Sequence, residues 1–276
     1  MSNDPLWIKE DETGSDANLA RPDLLFTIAT IVNDGAQYEE MRRSFDAAGF
    51  AGDCEYLALD NREGNRFEAY GGIRTLLARA RGNYVIVCHQ DVRLMADGRD
   101  QLLDRLGELD RLDPLWALAG NAGATEQGLA MRISDPHGEN QSVGVLPAVV
   151  RSLDENFILL KRAAMIAPSV DLAGFHLYGT DLCLQARMRG HGAYVIDFHL
   201  RHLGRGSMGR DYYVCLEALE DKYAKLLQPV AIQTTCLTPV LTPSRWRLFM
   251  TRLGRLRKKR KKLRLEGEAK AAAKVD

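Results

Sequence analysis

Four places in the chain gather groups that bind or move charge: Asn33-Asp34, Asp60-Asn61, His89-Gln90-Asp91 and His202. Each follows a short, largely apolar run. A carboxylate beside an imidazole at the carboxyl end of a buried strand lies where open α/β sheets hold their ligands. Asp91 is an oxygen donor of the kind that Mg²⁺ and Mn²⁺ accept, and such ions commonly fill their other positions with substrate phosphates. Gln90-Asp91 also reads as the cap of an ordinary turn. The chain has neither G-x-x-x-x-G-K-[ST] nor a G-x-G-x-x-G after its first long strand. A diphosphate would therefore have to be bridged through a divalent ion on a carboxylate.

The elements that must position these groups follow from the pattern of apolar residues. Tyr84–Cys88 is too short for a helix and too unbroken for a half-exposed strand, so it reads as a buried central strand. Leu24–Val32 reads the same way, and Glu55–Leu59 is a shorter strand. Gln37–Phe50 and Phe67–Arg81 have helical spacing, so the first ninety residues alternate strand and helix, as a parallel sheet with covering helices requires. Asp100–Leu112 is predicted helical and Leu115–Ala119 a strand. Gly128–Val143, polar and rich in turn formers, reads as loop. Val149–Leu160 favours strand around the interruption Asp154-Glu155-Asn156. Thr180–Gly190 is predicted helical with a glycine stop, Tyr194–Leu200 a strand, and Tyr212–Leu227 an amphipathic helix.

Composition narrows the function. The 276 residues carry no formal net charge, but the charge is unevenly spread. Ser244–Leu265 holds eleven of the 37 lysines and arginines and no acid, which leaves 26 basic residues facing 37 acidic ones elsewhere. An acidic body argues against nucleic acid as the partner of the fold. In the tail, Trp246, Phe249, Met250, Leu253 and Leu256 fall on one helical face among the basic residues, a pattern suited to an anionic membrane surface. Five scattered cysteines without a C-x-x-C pair suggest a reduced protein of the cytoplasm. No apolar run approaches the ~20 residues of a membrane span, and residues 1–22, polar and acidic, read as a flexible leader.

Four motifs, taken together and in order, resemble glycosyltransferase family 2: CHQDV at Cys88–Val92, LDEN at Leu153–Asn156, YGTDLCLQARMRG at Tyr178–Gly190 and YVIDFHLRHLGRGS at Tyr194–Ser207. The nearer resemblance is to a bacterial branch that writes H-Q-D where D-x-D is usual. It spans roughly residues 24–207. What it implies is a GT-A fold, a mixed and mainly parallel sheet flanked by helices, over residues 23–210. A helical extension at 211–243 and a basic amphipathic tail at 244–276 would follow. The implied activity is transfer of a sugar, with inversion, from a nucleotide-diphospho-sugar to a glycan or lipid-linked acceptor at the cytoplasmic face of the plasma membrane.

Carried over residue by residue, the resemblance makes Asp91 the metal carboxylate, with His202 a further contact to Mg²⁺ or Mn²⁺. Asp181 becomes the general base and Asp60 the carboxylate that meets the nucleoside. Asn33 and Asp34 frame the base and ribose, with Asn61 and Gln90 beside them on the donor. Asp154 and Glu155 either face the acceptor or solvate a turn. The chain departs from the family at Thr180, where an acid is usual, at His89, which weakens the metal site, and at Arg74, where an asparagine is usual and which would instead meet the diphosphate. Thr180-Asp181 also reads as a helix N-cap. Two other functions fit the same features: a nucleotidyltransferase, which would want a basic glycine-rich loop after the first strand, and a non-catalytic binding module.

Overall fold

The structure, a computed structural model, describes residues 6–8, 24–206, 208–226, 230–231, 240–241, 244–247, 249–250, 253–254, 256–257 and 260–261. By internal packing the chain divides into two units, Met1–Leu219 and Glu220–Asp276.

The first unit is built on an eight-stranded sheet. Its parallel half comprises β1 (Leu6–Ile8), β2 (Phe26–Val32), β3 (Cys54–Asp60) and β4 (Tyr84–Cys88), in the order β1-β3-β2-β4. Helix α1 (Gly35–Phe45) joins β2 to β3, and α2 (Ala69–Arg79) joins β3 to β4. Asp34 caps α1 and Glu68 caps α2. Leu6–Ile8 pairs in parallel with Leu57–Leu59, so part of the expected flexible leader is an edge strand. The rest of that leader lies outside the described residues.

Beyond β4, a short β5 (Val92–Leu94) and α3 (Arg99–Leu112) lead to β6 (Trp116–Gly120). The chain then makes β7 (Ala122–Ala124), β8 (Leu129–Asp135), β9 (Gly138–Val143), β10 (Ala148–Val149), β11 (Ser152–Leu153) and β12 (Phe157–Lys161). Helix α4 (Tyr178–Met188), β13 (Gly192–Val195), β14 (Leu200–His202) and α5 (Arg210–Leu226) follow, and within the expected helical extension β15 (Val230–Ala231) pairs antiparallel with β16 (Val240–Leu241). The large sheet continues from β4 as β12-β6-β13-β10, and a second sheet runs β11-β7-β8-β14-β5 with β9 on β8.

One reversal in the large sheet matters for the site. β12 runs antiparallel to both β4 and β6, while β2, β3 and β4 are parallel to one another. The amino end of β12, with Asp154 and Glu155 just before it, therefore reaches the same edge as the carboxyl ends of β2, β3 and β4. The core beneath is continuous: Phe26, Ile28, Phe45, Phe50, Ile86, Trp116, Phe157 and Phe198 are all at or near zero exposure. Removing each such side chain from water contributes about 1.5–3 kcal/mol, which holds the sheet edge as a rigid platform.

Two expectations are corrected. Gly128–Val143 is not loop but largely the β8–β9 hairpin. Its outer strand leaves most side chains exposed, so its sequence is polar, while the Asp135 carboxylate accepts the N–H groups of His137 (2.8 Å) and Gly138 (3.1 Å) to close the turn. Tyr194–Leu200 is not one strand but the end of β13, a crossing, and the start of β14 in the other sheet. Ile196, Phe198 and Leu200 stay buried throughout, and this alternation imitates an unbroken strand.

Candidate functional site

The shared edge opens into a cavity of about 540 Å³. Its lining includes Asn33, Asn61, His89, Gln90, Asp91, Asp154, Glu155, Tyr178 and His202. Asp91 and His89 follow β4 directly, and His202 ends β14. The antiparallel register of β14 on β5 sets His202 opposite Val92, and the Leu203 N–H donates to the Asp91 carbonyl at 3.1 Å. These backbone links deliver a residue more than a hundred positions away to the Asp91 carboxylate. Gly204 keeps the approach clear, since a Cβ there would lie 2.7 Å from Asp91 Oδ2 and 3.3 Å from His202 Nε2.

Three donor atoms converge. His202 Nε2 lies 3.4 Å from Asp91 Oδ1, His89 Nδ1 lies 3.9 Å from the same oxygen, and the two nitrogens are 3.3 Å apart. Neighbouring ligands on a first-row ion, at roughly 2.0–2.2 Å from it, stand about 3.0–3.5 Å apart; the two separations from His202 fall in that range, and the 3.9 Å between His89 and Asp91 is wider. His89, expected to weaken the metal site, stands beside Asp91 and His202 as a third candidate donor. Burial opposes ionisation of Asp91, but the hydrogen bond and charge of His202, with His89 behind it, outweigh burial and hold the carboxyl below its ordinary range. Burial likewise opposes the charged form of His202, and Asp91 outweighs it, raising the imidazole above its usual value. His89 moves the other way, lowered by burial and then by His202.

Gln90 serves the loop. Its Oε1 accepts the N–H groups of Asn33 and Asp34, each at 2.9 Å, and its amide nitrogen donates to Asn33 Oδ1. Asn61 lines the cavity wall but spends its side chain on Phe67, donating to the carbonyl at 2.8 Å and accepting the N–H at 2.9 Å. Both residues therefore shape the rim by holding backbone.

Four expected site residues do not line the cavity. Asp34 points its Oδ1 at the N–H groups of Ala36 (2.9 Å) and Gln37 (3.1 Å) as the cap of α1. Asp60 is clasped by Arg62 through Oδ1 (2.9 Å) and Oδ2 (2.8 Å), and this pairing brings its carboxyl down to about 2. Arg74 reaches not toward a diphosphate but to the Ser169 carbonyl at 2.6 Å. Asp181 is the largest correction. Helix α4 starts at Tyr178, with Leu177 in the N-cap position, so Asp181 lies inside the first turn and is neither a cap nor open to the cavity. It is 0% exposed, and its two oxygens accept the Ser169 N–H and hydroxyl, each at 2.7 Å.

Sequence reasoning missed Tyr178. Its hydroxyl donates to the Glu155 carbonyl at 3.0 Å and lies 3.3 Å from His89 Nε2, tying the two sides of the cavity together. The signal is the tyrosine that opens the YGTD run, two residues before Thr180-Asp181.

No protein-family model matches the chain. Among solved structures it is similar to residues 1–349 of S. aureus TarS in complex with UDP-GlcNAc: 11% identity, a TM-score of 0.50, and coverage of 74% of this chain and 67% of that one. A longer TarS chain matches at 12% identity and a TM-score of 0.47, and the present chain spans 40% of it. The fold is thus a mixed α/β arrangement of the GT-A kind. Among curated proteins, one named ATP synthase subunits region ORF 6, from Fuscovulum blasticum, is 40% identical over 210 residues, covering 73% of this chain and 84% of that protein. The chain belongs to the family of that Fuscovulum blasticum protein.

Proposed function

We propose that this protein moves a sugar, with inversion, from a nucleotide-diphospho-sugar to a hydroxyl of a glycan or lipid-linked acceptor. The observation that carries the reading is the His89–Asp91–His202 set in the lining of the cavity at the sheet edge. The same fold in TarS was seen with UDP-GlcNAc, which supports a nucleotide-sugar as donor. Its chemistry would be acid-base work beside a charged leaving group.

His89, Asp91 and His202 would hold a divalent ion, Mg²⁺ or Mn²⁺, which when bound offsets the negative charge growing on the departing diphosphate. The residues themselves do the positioning. Gln90 holds the loop after β2 and Asn61 the loop after β3, so the nucleoside meets a preformed wall, and pre-organisation of this kind lowers the cost of reaching the reactive geometry. The basic tail would set the enzyme on the inner face of the plasma membrane. Trp246, Phe249, Met250 and Leu256 are exposed there, a distribution suited to anionic lipid, while Leu253 is intermediate. Co-sedimentation with anionic but not neutral vesicles, lost at high salt, checks that placement; binding to duplex DNA instead would contradict it.

The donor reading is tested by calorimetric titration of UDP-, GDP- and dTDP-sugars with and without Mn²⁺. One of them should bind in a metal-dependent way, and Asp91→Ala should weaken it at least about 100-fold, the scale of losing a charged ligand. Metal-independent binding that survives Asp91→Ala would argue for a different site.

A further inference from the structure

We propose that Glu155 is the residue that takes the proton from the incoming hydroxyl, an inference that rests on the sugar-transfer reading. A displacement of this kind needs a base beside the acceptor, and the expected one, Asp181, is sealed away by Ser169. The carboxylates lining the cavity are Asp91, Asp154 and Glu155. Asp91 belongs to the donor set. Asp154 is exposed, with one oxygen taken by the N–H of Asn156 at 3.0 Å and by the Asn156 side-chain amide.

Glu155 is held by two hydrogen bonds, one to its carboxylate and one to its backbone. Its Oε1 accepts the Gly179 N–H at 3.2 Å, at the start of α4, where the helix dipole favours negative charge. Its backbone carbonyl accepts the Tyr178 hydroxyl, which is in contact with His89 on the far side. Glycine at 179 is what allows this approach: a Cβ there would collide with the Leu153 carbonyl and sit 3.3 Å from Glu155 Cγ. The corner before β12 and the first turn of α4 are therefore packed as one piece, with the carboxylate set relative to the metal donors.

The step balances simply. The acceptor O–H proton passes to the Glu155 carboxylate as the acceptor oxygen bonds to the anomeric carbon. The bond from that carbon to the diphosphate breaks, and its electron pair leaves on the nucleoside diphosphate. Burial, resisted by the Gly179 N–H and reinforced by the neighbouring Asp154 charge, pushes the Glu155 carboxyl up to about 8. A base in that range grips an abstracted proton well while remaining partly ionised near neutral pH. Asp154, Tyr178 and the N–H groups of Leu177 and Gly179 are the groups that surround it.

The test uses the full chain with Mn²⁺ and UDP-, GDP- or dTDP-sugars, comparing donor binding by calorimetry with slow donor hydrolysis, in which water replaces the acceptor. Glu155→Gln should bind donor within about twofold of wild type yet turn over about 10²–10⁴-fold more slowly, the usual worth of a positioned base. The rise in wild-type rate as pH climbs toward 8 should vanish in Glu155→Gln and return, weakened, in Glu155→Asp. Turnover within threefold of wild type, or a surviving pH rise, would overturn the assignment and leave the transfer reading intact. Failure of the wild type to bind or turn over every one of the three donors would overturn the transfer reading itself, and this inference with it.

Discussion

Asp91 and Asp181 make an instructive pair. Both lie at the end of a regular element, both belong to recognisable motifs, and both read from sequence as chemically active carboxylates. In the structure they divide. Asp91, at the carboxyl end of β4, turns toward two imidazoles and the cavity. Asp181, within the first turn of α4, turns inward and accepts the backbone N–H and the hydroxyl of Ser169. A strand end fixes direction, because the residue after it must leave the sheet edge. A helix start does not, because 100° per residue separates one side chain from the next and a boundary shifted by two residues changes the face.

The contrast can be broken by substitution. Asp181→Ala should cost about 3 kcal/mol of stability, because it strands two buried donors on Ser169, while nucleotide binding per folded molecule stays unchanged. Urea unfolding with parallel calorimetry would read both, and a stable variant with lost binding would invert the comparison. Glu155→Gln should sharpen it on the cavity side. Between the ordinary glutamate value of 4.5 and about 8, the native carboxyl keeps a proton that the unfolded chain has released, so wild-type stability falls as pH rises through that window. Glutamine removes the fall. The variant should match wild type near pH 4 and exceed it by about 1–2 kcal/mol near pH 8, a figure discounted for the open side of the cavity. Thermal melts across that range would show it, and parallel curves would contradict the raised carboxyl. The smallest effect concerns the metal itself. Two imidazoles and one carboxylate favour a transition metal over Mg²⁺, and His89→Asp should shift the Mn²⁺-over-Mg²⁺ binding ratio toward Mg²⁺ by about tenfold, or 1.4 kcal/mol. Competition titrations would measure that ratio, and no shift would remove His89 from the donor set.

Much of this was legible in the residues. Phe26–Val32 and Tyr84–Cys88 announced buried strands because both faces of a covered parallel sheet are apolar. Asp91 and His202 were legible through their motifs, but their meeting depended on the β14–β5 register, which leaves no local trace. His89 joins the candidate donor set only through that same meeting. The β8–β9 hairpin stayed hidden because an exposed outer strand is held by backbone hydrogen bonds and shows little apolar pattern. Asp60 and Arg74 each have a partner within the chain, Arg62 in one case and the Ser169 carbonyl in the other, and the Arg74 contact, ninety-five residues away, leaves no local trace.

On the proposed function, His89, Asp91 and His202 together would hold the ion that meets a nucleotide-sugar diphosphate. Crystals soaked with Mn²⁺ and UDP test it most directly through the anomalous signal of manganese. One peak should lie within roughly 2.0–2.3 Å of His89 Nδ1, an Asp91 carboxylate oxygen and His202 Nε2, with diphosphate oxygens completing the shell. A diphosphate seated in the cavity while manganese lies elsewhere, or away from His89, would contradict it.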